Sequence, residues 1–163
     1  MLIRNAVETD LSTIVAIYND SIPGRLATAD LNPVTKESRI AWFHNRDFAE
    51  RPIWVVEKEK VVVGWLSFQS FYGRPAYHAT AEISIYVSPS HQRQGIAQSL
   101  LQKAIANSPQ LKLKRLLAFI FAHNQPSLNL FNKYQFKQWG YLPGVATLDE
   151  IERDLVILGR YVT

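Results

Sequence analysis

The stretch YVSPSHQRQGIAQSLL, residues 86–101, contains a turn that can bind an anion. It leads from alternating apolar residues into a helix, and the first backbone N–H groups of a helix have no partner within it. Gly95 leaves the backbone unobstructed and the small Ala97 allows close approach, while Arg93 adds a positive charge beside the helix dipole. The predicted ligand is a phosphate or a pyrophosphate.

The spacing in this turn excludes two common phosphate-binding motifs. It lacks the Gly-x-x-x-x-Gly-Lys pattern of nucleoside-triphosphate loops, and it lacks the glycine fingerprint with a following acidic residue that is typical of dinucleotide folds. Taken alone, a Gln-x-x-Gly-x-Ala turn is equally consistent with an ordinary connection between a strand and a helix.

Periodicity around the turn predicts a mixed α/β chain. The strand before the turn alternates strictly, with Glu82, Ser84 and Tyr86 on its polar face. The other predicted strands lie at 2–4, 52–58, 60–71, 115–122, 136–141 and 153–158, and helices are predicted from 11, 35, 95 and 126. The last two strands are predicted to be separated by Leu142-Pro143-Gly144.

Composition limits the class of protein. A chain of 163 residues fits a single domain over residues 1–163, and it has no cysteine for disulfides, thiolate metal sites or nucleophilic catalysis. With no signal peptide and no apolar run long enough to span a membrane, we expect a soluble, cytoplasmic protein. The three histidines considered as ligands lack paired spacing, which argues against a metal site: His78, His91 and His123.

The net charge is +4, from 18 Lys and Arg against 14 Asp and Glu. This balance suits an anionic small molecule as well as nucleic acid. The one tight basic cluster, Lys112, Lys114 and Arg115, has no interleaved aromatic residues for base stacking, which favours a solvated loop. We therefore expect no nucleic-acid partner.

A second segment, NQPSLNLFNKYQF at residues 124–136, follows the next buried strand. Together the two segments resemble the GNAT superfamily of acyl-coenzyme A N-acetyltransferases, in which an Arg/Gln-x-x-Gly-x-Gly/Ala turn holds the cofactor pyrophosphate. The chain further resembles the phosphinothricin and methionine sulfoximine acetyltransferase branch of that superfamily. The stretches that carry this resemblance are Gly64-Trp65, FYGRPAY at 71–77, TAEISIYV at 80–87, DLVILG at 154–159, Ile17-Tyr18-Asn19 and RIAWF at 39–43.

The resemblance implies a central, mostly antiparallel seven-stranded sheet, splayed where the cofactor enters and flanked by about four helices. It also implies acetyl-CoA as cosubstrate, with the main chain of Ile85 and Val87 pairing with the pantetheine arm. Asn124 can instead be a helix cap, and Lys133 can instead be solvated surface. The implied cofactor-binding residues are Ile85, Tyr86, Val87, Gln92, Arg93, Gln94, Gly95, Ile96, Ala97, Gln98, Asn124, Ser127 and Lys133.

For catalysis, the resemblance places Glu82 beside the acetyl group, where a carboxylate can take a proton from the substrate ammonium directly or through a water. The structural alternative is a buried glutamate bound to donors. Many members protonate the departing thiolate with a tyrosine, but Phe131 occupies that position here and cannot donate a proton. We expect solvent or another hydroxyl such as Tyr134 to do so. Gln135 replaces a family glycine, which affects the local turn.

The branch resemblance implies a small amino-acid analogue as substrate, acetylated on its α-amine by direct attack. Arg74 can hold a carboxylate or phosphinyl oxygen, with Tyr77, Phe71 and Glu82 completing the substrate site. Alternatives are another amine, such as a polyamine, an antibiotic or a protein N-terminus, or a CoA-binding regulatory module without turnover. The exposed late strands, together with family habit, lead us to expect a homodimer.

Overall fold

The structure, a computed structural model, describes residues 1–162 and folds them around one seven-stranded sheet. Four α-helices flank the sheet, as predicted. In chain order the elements are β1 (Leu2–Asn5), α1 (Leu11–Ser21), α2 (Ile40–His44), β2 (Ile53–Lys58), β3 (Val61–Ser70), β4 (Thr80–Val87), α3 (Ile96–Asn107), β5 (Arg115–Phe121), α4 (Gln125–Lys133), β6 (Lys137–Leu148) and β7 (Ile151–Tyr161).

The sheet has the order β1-β2-β3-β4-β5-β7-β6, and every adjacent pair except β4 and β5 is antiparallel. The parallel pairing of β4 with β5 ends at Glu82 opposite Leu117, although β4 continues to Val87 and β5 to Phe121. The two strands therefore part beyond Glu82. This is the splay that the family resemblance implies.

Two apolar cores cover the two faces of the sheet. On one face, α3 and α4 pack against β3, β4 and β5 through residues such as Phe68, Leu100, Leu116 and Phe131. On the other face, α1 and α2 pack against β2 and β3 through Ile14, Phe43 and Trp65, among others. The alternation of side chains along each strand supplies both cores at once.

The prediction that Leu142-Pro143-Gly144 separates the last two strands is wrong. The three residues lie inside β6, at a register irregularity between Leu142 and Ala146 in its pairing with β7. β6 is an edge strand, where proline needs no partner for its missing N–H, and Gly144 adopts φ +60° in the bulge. The actual turn is Asp149-Glu150, with φ values of 52° and 66°.

The helices leave part of one face uncovered. Phe119, on β5, is 37% exposed, although the sequence predicts a strand buried on both faces. The face that carries Phe119 also carries Tyr161 of β7, whose ring centroid lies 5.4 Å from that of Trp139 in β6. No helix packs over this side of the β5, β6 and β7 strands within residues 1–162.

None of the helices in the described part of the chain is long and apolar enough to cross a membrane. The single-domain boundary, residues 1–163, stays a prediction, and Thr163 lies outside the described residues.

Candidate active site

The parting of β4 and β5 leaves one main-chain edge of β4 without a strand partner. Ser88 N donates to Val63 O at 2.8 Å, so these opposed residues form a hydrogen-bonded pair between β3 and β4. Bonded and non-bonded pairs alternate in an antiparallel ladder, so Ile85 and Val87 direct their N–H and C=O groups away from β3. Those groups face the gap, where an extended ligand can pair with them as a further strand.

The predicted anion turn has the geometry of an open cradle. Gly95 has φ +80° at the start of α3, a conformation that favours glycine, and no side chain caps the helix. Arg93 has a positive φ of 61° in the same turn. The first intrahelical bond runs from Ser99 N to Gly95 O, so the preceding amides of the helix have no intrahelical partner. Gln92, Arg93, Gln94 and Gly95 are exposed, the Ile96 side chain is buried, and Ala97 and Gln98 lie in the first helical turn.

Two lysines border this turn. Lys133, at the end of α4, donates from Nζ to Gln98 Oε1 at 3.1 Å, which places its charge beside the first turn of α3. Lys58, at the end of β2, donates from Nζ to Gln94 Oε1 at 3.0 Å. Together with Arg93, they put positive charge around the free amides. The sequence pointed to Lys133 and Arg93 but missed Lys58, because only the pairing of β2 with β3 brings it there.

Asn124 caps α4 and also crosses to another part of the chain. Its Oδ1 accepts from Ser127 N at 3.3 Å, and its Nδ2 donates to Leu26 O at 3.2 Å. The side chain is buried, so both bonds hold it firmly at the end of β5. The helix-cap alternative is therefore present in the structure, and the contact with pantetheine stays a prediction, as does that of Ser127.

A loop bridges the gap between the parted strands. Three consecutive carbonyl oxygens, from residues 25–27, accept hydrogen bonds from His123 Nε2 at 2.8 Å, Asn124 Nδ2 at 3.2 Å and the Tyr86 hydroxyl at 3.3 Å, in that order. His123 and Asn124 follow β5, whereas Tyr86 belongs to β4. The loop therefore ties together the two strand ends that the sheet no longer joins.

Glu82 lies at the point where the strands separate, since it forms the last pair between β4 and β5. Among the described residues its carboxylate has no salt-bridge or hydrogen-bond partner, and burial raises the pKa of this carboxyl above its ordinary value. The alternative of a glutamate held by structural donors thus finds no support in residues 1–162. A carboxylate with a raised pKa and a free proton-accepting oxygen is suited to general base catalysis near neutral pH.

Glu82 opens into a cavity of about 200 Å³ between the sheet and the helices α1 and α2. The helix side combines apolar residues with Tyr18 and Arg39, and the sheet side carries Trp65 and polar groups from β3 and β4. The lining residues are Ile14, Val15, Tyr18, Val34, Arg39, Trp42, Trp65, Ser67, Gln69, Glu82, Ser84 and Tyr86.

A family model described as Acetyltransferase (GNAT) family matches residues 13–136 of this chain, which include the free edge of β4, the anion turn and Asn124. The chain belongs to the GNAT acetyltransferase family. It is therefore an enzyme that transfers an acetyl group from acetyl-CoA. Across residues 1–162 of this GNAT enzyme, no group of three or more His, Asp or Glu side chains could hold a metal ion.

Individual relatives align with this GNAT acetyltransferase along nearly its whole length. It is 48% identical over 161 residues to the "Putative phosphinothricin acetyltransferase YwnH" of Bacillus subtilis (strain 168), covering 98% of each chain. It is 30% identical over 146 residues to the L-methionine sulfoximine/L-methionine sulfone acetyltransferase of Salmonella typhimurium (strain LT2), covering 90% of this chain and 85% of that one. The solved structure of yncA from Salmonella typhimurium with its cofactor acetyl-CoA superimposes with a TM-score of 0.93 at 28% identity, covering 100% of this chain and 94% of that one.

The side chain of Tyr86 in this GNAT acetyltransferase lines the cavity, and its main chain is not part of the free edge of β4. Its position in the ladder bonds its main chain to β3, opposite Trp65, and its ring lies 4.8 Å from the Trp65 ring, between centroids. Burial raises the pKa of the Tyr86 hydroxyl. The geometry therefore favours a role for Tyr86 in shaping the cavity over the predicted contact with the cofactor.

Tyr18, Thr28, Asp30 and Arg39 form a polar network at the cavity. The Tyr18 hydroxyl contacts Thr28 Oγ1 at 2.6 Å and donates to Asp30, and the Arg39 guanidinium lies over the Tyr18 ring, 5.3 Å from its centroid. Tyr18 belongs to the helical pattern that predicts α1, so its position on the buried stripe was available from the sequence. Thr28 and Asp30 come from the irregular loop, which has no periodicity to place them, whereas Arg39 directly precedes α2.

Three residues predicted to bind the amine substrate line a neighbouring cavity. Phe71, Arg74 and Tyr77 line a second cavity of about 430 Å³, which shares no lining residue with the cavity at Glu82. The Phe71 and Tyr77 rings stack with centroids 5.4 Å apart, and Arg74 is exposed. The structure therefore groups these three residues in a cavity next to the one at Glu82, because Gln69 lines the first cavity and Ser70 and Phe71 line the second. Their role in substrate binding stays a prediction.

Phe131, at the position of the family tyrosine, is 5% exposed and packs edge-on against Phe136 with ring centroids 4.9 Å apart. It is therefore a core residue. The Tyr134 hydroxyl has no hydrogen-bond partner among residues 1–162, so its role as a proton donor also stays a prediction. Gln135, which replaces a family glycine, adopts φ +65° without breaking the turn into β6.

Proposed function

We propose that this acetyltransferase acetylates the α-amine of a small amino-acid analogue of the phosphinothricin, methionine sulfoximine or methionine sulfone type. The observation that carries the proposal is the position of Glu82, which lies where the strands part and faces a cavity on the other side of β4 from its core face. A base here reaches an amine in the cavity and stands beside the free main-chain edge that can hold a pantetheine arm.

The size of the cavity supports a small substrate. Its volume of about 200 Å³ is below the roughly 300–1,000 Å³ that is typical of pockets for drug-sized ligands. A small amino acid is thus favoured over an antibiotic, and the names of the relatives give the chemical type: phosphinothricin, methionine sulfoximine and methionine sulfone.

The chemistry that we propose for this chain begins with proton removal. Glu82 accepts a proton from the substrate ammonium, directly or through a water, which frees the nitrogen lone pair for attack. Bound acetyl-CoA supplies an activated thioester carbonyl. The amides of Ile85 and Val87 hold the ligand along β4, and the free amides at the start of α3 hold its pyrophosphate. Lys58, Arg93 and Lys133 offset the charge of that anion.

We propose that solvent protonates the departing thiolate. A thiol has a pKa of about 8.5, so the thiolate leaves readily near neutral pH and a dedicated acid contributes little. Phe131 is buried in the core and can donate no proton. Replacement of Tyr134 by phenylalanine should therefore leave kcat within about twofold of the wild type. A larger loss would assign the donor role to Tyr134.

Thiol release from acetyl-CoA tests the proposed substrate class. The wild type should release thiol with methionine sulfoximine, phosphinothricin and methionine sulfone, and should release none with polyamines or peptides. Thiol release with a polyamine alone would show that the substrate is a polyamine and not an amino-acid analogue. CoA binding without thiol release from any amine would indicate a regulatory module.

Glu82→Gln tests the proposed base. General base catalysis contributes about 100- to 10,000-fold, so kcat should fall by that factor while the affinity for CoA stays unchanged. Glu59→Gln, in the exposed turn between β2 and β3, removes the same charge away from the cavity and serves as the control. Unchanged turnover in Glu82→Gln would eliminate Glu82 as the base.

We further propose that two copies associate through the uncovered face of β5, β6 and β7. Trp139 is 43% exposed and Tyr161 is 61% exposed, and aromatic residues are enriched at such interfaces. Light scattering should give twice the mass of the chain, and Trp139→Glu should reduce it to that of a monomer. Val61→Asp, an exposed apolar position on β3, is the control and should remain a dimer. A monomeric wild type would contradict the proposal.

We also propose that the enzyme acts in the cytoplasm, where acetyl-CoA is available to it. Fractionation of the source cells should recover the chain and its acetyltransferase activity with cytoplasmic enzymes. Recovery with the membrane or the medium would contradict this location.

A further inference from the structure

The cavity at Glu82 contains two charges that the rest of the protein leaves incompletely paired. Glu82 has no salt-bridge partner in the described chain, and Arg39 is the one cation among the residues that line the cavity. The second cavity contains Arg74, but not Glu82. A ligand that binds beside Glu82 through its ammonium therefore shares the cavity with Arg39.

Arg39 retains hydrogen-bonding capacity. A guanidinium has five N–H donors, and the one acidic partner of Arg39 within residues 1–162 is Asp30, at 3.4 Å from Nη2 to Oδ2. This contact is longer than the roughly 2.7–2.9 Å of a good charge-assisted bond, and the same Asp30 oxygen also accepts from Tyr18. Arg39 is thus positioned by Asp30 and by the Tyr18 ring, without being saturated by them.

The nearby Arg46 shows what a saturated arginine looks like in this protein. Its guanidinium donates to the carbonyl oxygens of Trp42, Arg51 and Phe68 at 2.9–3.1 Å, and to Gln69 Oε1 at 3.4 Å. It also lies 4.8 Å from the centroid of the Trp42 ring. Arg46 therefore supports two residues of the cavity wall and has little capacity for a ligand, in contrast to Arg39.

We propose that Arg39 binds the α-carboxylate of the amino-acid substrate, an inference that rests on the function proposed above. The relatives named for phosphinothricin, methionine sulfoximine and methionine sulfone point to the α-carboxylate, because the sulfone side chain carries no charge and the α-carboxylate is the one anion that all three compounds share. An arginine fork can bind a carboxylate through two parallel hydrogen bonds. With Glu82 at the amine and Arg39 at the carboxylate, the cavity selects zwitterions over simple amines.

The test compares methionine sulfone with its carboxamide, which has the same side chain and amine but no carboxylate. Arg39→Gln should raise the KM for methionine sulfone by about 10- to 100-fold, as expected for loss of a hydrogen-bonded charge pair. The KM for the carboxamide should change by less than about twofold, and kcat should stay close to that of the wild type because the contact is the same in the ground and transition states.

Two further variants keep the test decisive. Arg39→Lys retains the charge without the fork and should give an intermediate KM for methionine sulfone, which also covers the case in which Arg39→Gln fails to fold. Lys36→Gln removes an exposed charge three residues earlier and should leave both KM values unchanged. A structural role for Arg39 would raise both KM values equally.

The inference would be overturned if Arg39→Gln raised the KM equally for methionine sulfone and its carboxamide, or did not raise the KM for methionine sulfone. A second outcome would also overturn it: Arg74→Gln no longer prefers methionine sulfone to its carboxamide, whereas Arg39→Gln still does. Arg74 would then be the residue that binds the carboxylate. In each of these outcomes the wild type still acetylates methionine sulfone. If the wild type acetylates no α-amino acid, the proposed function itself fails.

Discussion

Gly95→Ala isolates the contribution of the anion turn to CoA binding. Gly95 has φ +80°, and a Cβ built on it meets no atom within 4 Å, so the substitution introduces backbone strain without a steric clash. For a residue with a side chain, the left-handed conformation costs about 1–2 kcal/mol. The turn is exposed from Gln92 to Gly95, so few contacts oppose its relaxation to negative φ.

Relaxation would turn the free amides away from the pyrophosphate, and binding would then have to restore the strained conformation. A cost of about 1–2 kcal/mol corresponds to a rise in Kd of about 5- to 30-fold. Titration calorimetry with CoA at fixed ionic strength should detect this rise. Pantetheine, which lacks the pyrophosphate, should bind both proteins equally.

Gly73→Ala is a matched control for this experiment. Gly73 has φ +68° and an equally open Cβ position, but it lies in the loop after β3, away from α3. The substitution should introduce the same backbone strain and leave the Kd for CoA within about twofold of the wild type. A Gly95→Ala protein that binds CoA as tightly as the wild type would refute the placement of the pyrophosphate on this turn.

Two changes test stability. Gln135→Gly should raise the free energy of unfolding by about 0.5–1 kcal/mol, because it relieves a left-handed Gln at φ +65° and this gain exceeds the entropy cost of glycine. In urea titrations Gln135→Ala, which keeps a Cβ, should show no such gain, and equal stabilities for the two variants would contradict the explanation. Glu82→Gln should stabilise the protein at pH 7 to 8 and lose this advantage as the pH falls. Burial raises the pKa of Glu82 in the folded wild type. Protonated Glu82 therefore stabilises the folded wild type below the unfolded-state pKa, and this stability is lost as the pH rises through the folded-state pKa. Thermal unfolding of the variant and the wild type, measured from pH 8 downwards, gives the difference in stability. A difference that does not depend on pH would show that burial does not disfavour the charged form of Glu82.

The strongly patterned elements could be predicted from the sequence. The alternation in β4, the start of a helix at Gly95 and the break between the strands predicted at 52–58 and 60–71 are local signals, and the structure has each of them. The boundary of β6 could not be predicted, because proline and glycine usually end a strand and only its place at the sheet edge allows Pro143 inside it.

The cavity at Glu82 was less predictable from the sequence than the anion turn. The turn is a contiguous motif whose backbone geometry follows from its own residues, whereas the cavity is assembled from α1, the following loop, α2, β3 and β4. Arg39 belongs to the RIAWF stretch that resembles the branch, but that resemblance gave it no role, because its environment depends on how the loop through Asp30 folds back over Tyr18. The resemblance assigned substrate binding to Arg74 instead.

The parting of β4 and β5 has a kinetic consequence. The free edge of β4 leads towards the turn before α3, whereas the cavity at Glu82 opens on the face that α1 and α2 cover. Neither ligand has to pass through the place of the other, so the two can be present together at the same strand. Initial rates measured at several fixed concentrations of each substrate should give intersecting lines in double-reciprocal plots. The order in which the two substrates bind should be random.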